Sequence, residues 1–151
     1  MKNNTYTLLF LALAGVLVLF GVNYLSTAKS EMENKELASF GNLGLNPAKV
    51  KGIAIEKAGK RFTLNQEQQV KALSFLNTMV PVDKKDYPKK ETFDFSRIVV
   101  SRFNLPDVSI VPVARADKDI VFDVPVLDTN SYLLSMSGGE LQELIRKATQ
   151  E

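Results

Sequence analysis

TFDFSRIVVSRFNLPDVSIVPVARADKDIVFDVPV, residues 92–126, decides the fold. β-Branched and aromatic side chains recur at short intervals, and each run stops at a turn: Leu105-Pro106-Asp107, then Ala116 to Asp119. Successive antiparallel strands carry this pattern, and a helix does not. Three are expected: Thr92 to Phe103, Val108 to Val113 and Ile120 to Val126. In the first, Phe93 and Phe95 share one face while Ile98 and Val100 share the other. A change of phase near Ser96-Arg97 implies a bulge, or a central strand buried on both sides. Pro112 and Pro125 have no N–H to give a ladder, so each should mark an edge or a bulge.

Toward the C-terminus, Tyr132 to Met136 fits a short last strand. Ser137-Gly138-Gly139-Glu140 has the spacing of a capping box, and Leu141, Leu144, Ile145 and Ala148 make the apolar stripe of a terminal helix. Glu143 and Lys147 stand four apart in the order that supports it. Toward the N-terminus, Asp83 to Glu91 reads as a charged loop. Before it, a helix is expected over 66–80. Asn65 and Gln68 cap it, while Val70, Leu73, Leu76 and Val80 recur at helical spacing. Pro81 ends it, because proline pushes the residue before it out of helical geometry. Val50 to Glu56 and Arg61 to Leu64 pair as a hairpin around Lys57-Ala58-Gly59-Lys60, with Gly59 supplying a positive φ. Asn46-Pro47 caps and opens a single helical turn. The order is β-β-α-β-β-β-(β)-α, without alternating βαβ units. It predicts an α+β domain over residues 47–151, a small antiparallel sheet with two helices on one face.

What precedes the domain has a different character. Leu8 to Val22 contains no charged or strongly polar side chain. Alone it rises only about 22 Å as a helix, but from Tyr6 to Leu25 it reaches about 30 Å, the thickness of a bilayer core. Tyr6 and Tyr24 then fall where amphipathic rings mark the two membrane–water interfaces. The competing reading is a signal peptide, with Lys2 at its start and Ser26-Thr27-Ala28 as small residues before a cut at Lys29. Residues 1–28 are thus expected to be a membrane anchor touching lipid through residues 6–25, or a cleaved leader. Residues 29–46 are polar and small-residue rich and read as a stalk or linker, in which Ser30 and Glu33 have capping-box spacing. Lysines flank both ends of the run and orient it only weakly; the default places the domain outside the cytoplasm.

Composition narrows the chemistry. The chain of 151 residues holds no cysteine and no histidine. Disulfides, thiol nucleophiles, Ser-His-Asp hydrolysis and histidine-ligated zinc or haem are therefore excluded. A small exported domain without disulfides fits a bacterial envelope better than an oxidising eukaryotic pathway. Nineteen basic residues against 17 acidic ones give no basic excess of the kind a nucleic-acid binder shows.

Each remaining constellation has an ordinary explanation. Lys84, Lys85, Lys89 and Lys90 are a candidate partner-binding cluster, yet Asp83, Asp86 and Glu91 leave a local excess of one charge, which a solvated loop explains equally well. Asp117, Asp119 and Asp123 lack the alternating oxygens and central glycine of a calcium loop. Gly138-Gly139 has no phosphate-binding lysine pattern beside it. Arg97 and Arg102 are expected to face the surface. No catalytic residue, cofactor or metal is expected. The sequence points to a non-enzymatic, single-pass bacterial envelope protein whose domain engages another envelope protein as an interaction or accessory module, without nucleic acid. The alternative is a periplasmic or secreted module that binds a ligand or polymer after leader cleavage.

Overall fold

Tight turns set the registers of the sheet. In the computed structural model, which describes residues 43–127 and 130–150, β1 (Val50–Lys57) and β2 (Lys60–Thr63) pair with Lys57 opposite Lys60. The two residues between them, Ala58 and Gly59, both take positive φ (50° and 76°), as the expected hairpin turn requires. Asn104 (φ 57°) turns β4 (Arg97–Arg102) into β5 (Leu105–Ala116), and Asp117 (φ 54°) turns β5 into β6 (Asp119–Asp123). Two further strands, β3 (Val80–Asp83) and β7 (Ser131–Leu134), complete a seven-stranded antiparallel sheet in the order β2-β1-β4-β5-β6-β7-β3. Among the described residues the α-helices are α1 (Gln66–Asn77) and α2 (Glu140–Ala148). The architecture is α+β, as the strand runs imply.

The long strand β5 joins the two halves. Its first half pairs with β4 (Ile98 opposite Ile110, Val100 opposite Val108) and its second half with β6 (Val111 opposite Asp123, Ala116 opposite Asp119). A register shift falls between Pro112 and Ala114, the bulge that a proline inside a strand implies. Beyond Ile110 the β4 side of β5 is taken over by residues 91–93. The Glu91 N–H donates to the Val113 carbonyl (2.8 Å), and the Arg115 N–H donates to the Glu91 carboxylate (3.1 Å). The Arg115 guanidinium also lies 4.3 Å from the centre of the Phe93 ring.

Alternation then places the core. Ile53, Ile55, Ile98, Val100, Val108, Ile110, Ile120 and Phe122 are buried together with Leu73 and Leu76 of α1 and with Leu141, Leu144 and Ile145 of α2, so both helices share one core with the sheet. Leu43 (0% exposed) and Leu45 (3%) belong to that core too. Asn77, at the end of α1, holds Leu45 by its backbone: its Oδ1 accepts from the Leu45 N–H (2.7 Å) and its Nδ2 donates to the Leu45 carbonyl (2.9 Å). On the opposite face Val113, Ala114 and Val121 form a smaller cluster with Val82, Tyr87, Tyr132 and Leu134.

Several boundaries differ from the sequence reading, each for a local reason. The helix over 66–80 ends at Asn77, where the Thr78 hydroxyl donates back to the Ser74 and Phe75 carbonyls and Val80 enters β3. Val70 is 65% exposed, because the buried stripe runs through Ala72, Leu73 and Leu76, about a third of a turn away. The strand expected over 92–103 begins only at Arg97, and the phase change at Ser96-Arg97 marks its start. The strand expected over 108–113 is longer at both ends, and the one over 120–126 stops at Asp123. Pro125 opens a 3₁₀ turn instead. The capping box at Ser137–Glu140 does not form: Gly138 and Gly139 take positive φ (62° and 94°), so the helix starts after them and Gly139 is its N-cap. The caps at Asn65–Gln68 and Asn46–Ala48 form as expected. Tyr6, Tyr24, the apolar run and the stalk readings at residues 29–42 lie outside the described residues. Among those described, no helix is long and apolar enough to cross a membrane.

Candidate functional site

The residues singled out in sequence fall into separate settings. Lys84 and Lys85 stand in a 3₁₀ turn (Lys84–Asp86) after β3, where the Asp83 carboxylate accepts from the Lys85 N–H (2.9 Å). Lys84 lies down on the sheet: its Nζ is 3.8 Å from Asp123 and 5.1 Å from the centre of the Tyr132 ring. Lys85, Lys89 and Lys90 are exposed. The three aspartates do not converge. Asp117 occupies a turn, Asp123 faces Lys84, and Asp119 accepts from the N–H and hydroxyl of Ser137 (both 3.0 Å) and from the Ser135 hydroxyl (3.3 Å). Among the described residues no group of three His, Cys, Asp or Glu is placed to hold a metal. Arg97 is exposed and bonds Glu56 (2.6 Å), whereas Arg102 is buried, against the expectation of two surface arginines, and donates from Nε to the Pro106 carbonyl (2.9 Å).

Displaced titrations belong to surface ion pairs. The Arg115 backbone N–H, with its guanidinium, holds the Glu91 carboxyl below the usual carboxylate range. A hydrogen bond from Lys71 lowers Glu67, and one from Arg146 lowers Glu143 while Glu143 raises Arg146. All four groups are solvent-exposed, where such pairs contribute little.

The described residues form depressions of about 450 to 700 Å³, one of about 700 Å³ running beside Lys84 and Lys85; two others differ in how their charges are paired. A cleft of about 450 Å³ lies between the helices, lined by Glu67, Lys71, Phe75, Glu143, Leu144 and Lys147. Both of its lysines are paired, Lys71 with Glu67 (2.9 Å) and Lys147 with Glu143 (3.6 Å), and Glu140 adds a third carboxylate to the lining. The second, about 490 Å³, lies on the face of β2, β1 and β4 turned away from the helices. Registers build it. Ala54 stands opposite Thr63 and Val99, and Gly52 opposite Ser101, so small side chains make the floor. Lys51, Arg61, Thr63, Ser101 and Asp107 rise around them. The Arg61 Nη2 donates to the Ser101 hydroxyl (3.2 Å), which donates to Asp107 (3.1 Å). A Cβ at Gly52 meets nothing within 4 Å, so the floor there is open. Among the described residues, Lys51, Lys60 and Arg61 form no ion pair with a carboxylate.

Comparisons with protein-family models, with curated proteins and with solved structures return no match.

The backbone of β2 adds to it. The Leu64 N–H donates to the Ile53 carbonyl (2.9 Å). In the antiparallel register Ala54–Thr63, Ile55–Phe62, bonded pairs alternate, so Phe62 and Lys60 also turn their amides toward β1. Arg61 and Thr63 turn theirs to the outer side of β2, which carries no further strand among the described residues. Sequence reasoning passed over this surface because its polar residues come from β1, β2, β4 and β5. The alternation of Arg61 and Thr63 with Phe62 and Leu64 was its one visible sign.

Proposed function

We propose that the chain is a membrane-tethered bacterial envelope protein of non-enzymatic type, its α+β domain serving as a protein-interaction or accessory module outside the cytoplasm. The observation that carries the interaction half is the contrast between the two depressions. The cleft between the helices pairs both of its lysines with carboxylates, whereas the outer face at β2 keeps two cations, Lys51 and Arg61, without a carboxylate ion pair among the described residues. Uncompensated charge beside an open strand suits recognition of a partner. The tether rests on the apolar run Leu8 to Val22 and on Tyr6 and Tyr24 at membrane spacing. The absence of histidine and cysteine from the whole sequence removes the commonest routes to acid–base and nucleophilic catalysis.

Cross-linking in intact cells tests the module. The expected result is a defined protein adduct that survives mild detergent extraction; a chain that stays monomeric and unlinked counts against it. Ser26-Thr27-Ala28 supports a second reading, a freely soluble module that binds a ligand or polymer after cleavage. N-terminal sequencing decides between them: a mature chain beginning at Lys29 rules out the tether, and an intact N-terminus in the membrane fraction supports it.

A further inference from the structure

We propose that the open edge of β2, with the cationic basin beside it, takes an extended acidic segment of a partner protein as an eighth strand. The inference rests on reading the domain as a protein-interaction module, and it names the surface and the chemistry of the partner. Arg61 and Thr63 present their backbone N–H and C=O groups at the edge, spaced as a strand needs them. A strand laid there sends alternate side chains to the outer face of the sheet. Those side chains arrive at the rim of the basin, beside Arg61 and Lys51. Carboxylates fit that position. The Arg61 guanidinium is already steadied by its bond to Ser101, which lowers the ordering cost of receiving one.

Charge also argues against the two nearest alternatives. A second copy pairing through the same edge brings two Arg61 side chains to the same outer face without adding a carboxylate there, and like charges close together destabilise a strand pair. The far edge of the sheet, β3, carries Pro81, which has no N–H to offer an added strand. Two carboxylates oppose an acidic guest: Asp107 on the basin wall, and Glu56, which stands opposite Arg61 in the register and is bonded by Arg97.

The test uses the full chain in lipid nanodiscs and, as probe, a short synthetic peptide alternating glutamate with valine. Binding should slow hydrogen exchange at the Arg61 and Thr63 amides, and should weaken roughly tenfold from about 50 to 300 mM salt. Arg61→Glu should lose the acidic peptide and gain its lysine–valine counterpart, and Asp107→Asn should bind the acidic peptide more tightly. Thr63→Pro keeps every charge and removes one edge N–H at a position where an edge strand tolerates proline, so it should abolish binding. Unchanged binding to Arg61→Glu overturns the proposal. Binding that survives Thr63→Pro also overturns it, since plain charge attraction then suffices.

A photo-reactive residue at position 63 or 85 carries the test into cells. Adducts from 63 that map to an acidic segment of one protein support the proposal. Adducts from 85 alone leave the interaction module standing and overturn the β2 edge. If neither position captures a protein, the module reading itself fails.

Discussion

The side-chain amide of Asn77 meets the backbone of Leu45 twice, as acceptor and as donor. It reproduces what a neighbouring strand provides, and so closes a segment that has no strand partner of its own. Replacing it with alanine strands a partly buried N–H and C=O, at a cost of about 1–3 kcal/mol. Asn77→Ala should therefore lower the urea midpoint without changing the slope of the transition. Glu91 does a comparable job across the bulge of β5, accepting from the Arg115 N–H and guanidinium. Those bonds depress its folded pKa below the unfolded one. Its contribution is thus complete above the usual carboxylate pKa of about 4.3 and is lost as pH falls through the lower folded value. Acid titration of stability should show a small fall from this group in that window, and Glu91→Gln should remove that small part of it. Neither role was legible in sequence. Asn77 and Leu45 lie 32 positions apart, Arg115 and Glu91 24 apart, and nothing local announces either pair.

Elements were legible where their signals are local and failed where a distant partner decides. Asn65 and Gln68 lie three apart and satisfy each other's backbone as their spacing implies. Asn65→Ala should cost about 1 kcal/mol, which for a domain of this size lowers the melting temperature by roughly 4–8 °C. Circular dichroism melts check it. The same spacing at Ser137 and Glu140 misleads, since two intervening glycines at positive φ cannot occupy a first helical turn. The Ser137 hydroxyl still accepts from the Leu141 N–H (3.2 Å) while donating to Asp119. β3 was invisible for another reason. Val80-Pro81-Val82 is too short for alternation to register, and Val80 also fits the period of the helix before it. Pairing with β7 makes it a strand, and that is a tertiary fact. The candidate surface was the least legible part, because four strands contribute to it and only their registers bring Arg61, Ser101 and Asp107 together.

At the scale of the molecule, the open question is where the folded unit starts. The sequence between Gly41 and Asn46 looks like linker: its leucines stand singly among glycine and asparagine, with no period to assign them to a face. Yet Leu43 and Leu45 are wholly or almost wholly buried in the core that both helices share. Burying a leucine side chain is worth about 1.5–3 kcal/mol, and the two bonds from Asn77 add to it. Together these contributions are comparable with the 5–15 kcal/mol that holds a typical domain folded. Two truncated chains therefore should behave differently although only four residues separate them. A chain beginning at Leu43 should unfold cooperatively in urea. One beginning at Pro47 should lose several kcal/mol, enough to leave it largely unfolded at 37 °C. Equal midpoints for the two would mean that the sheet and helices close their core without these leucines. The predicted difference makes Leu43 and Leu45, which read as linker in sequence, part of the folded core.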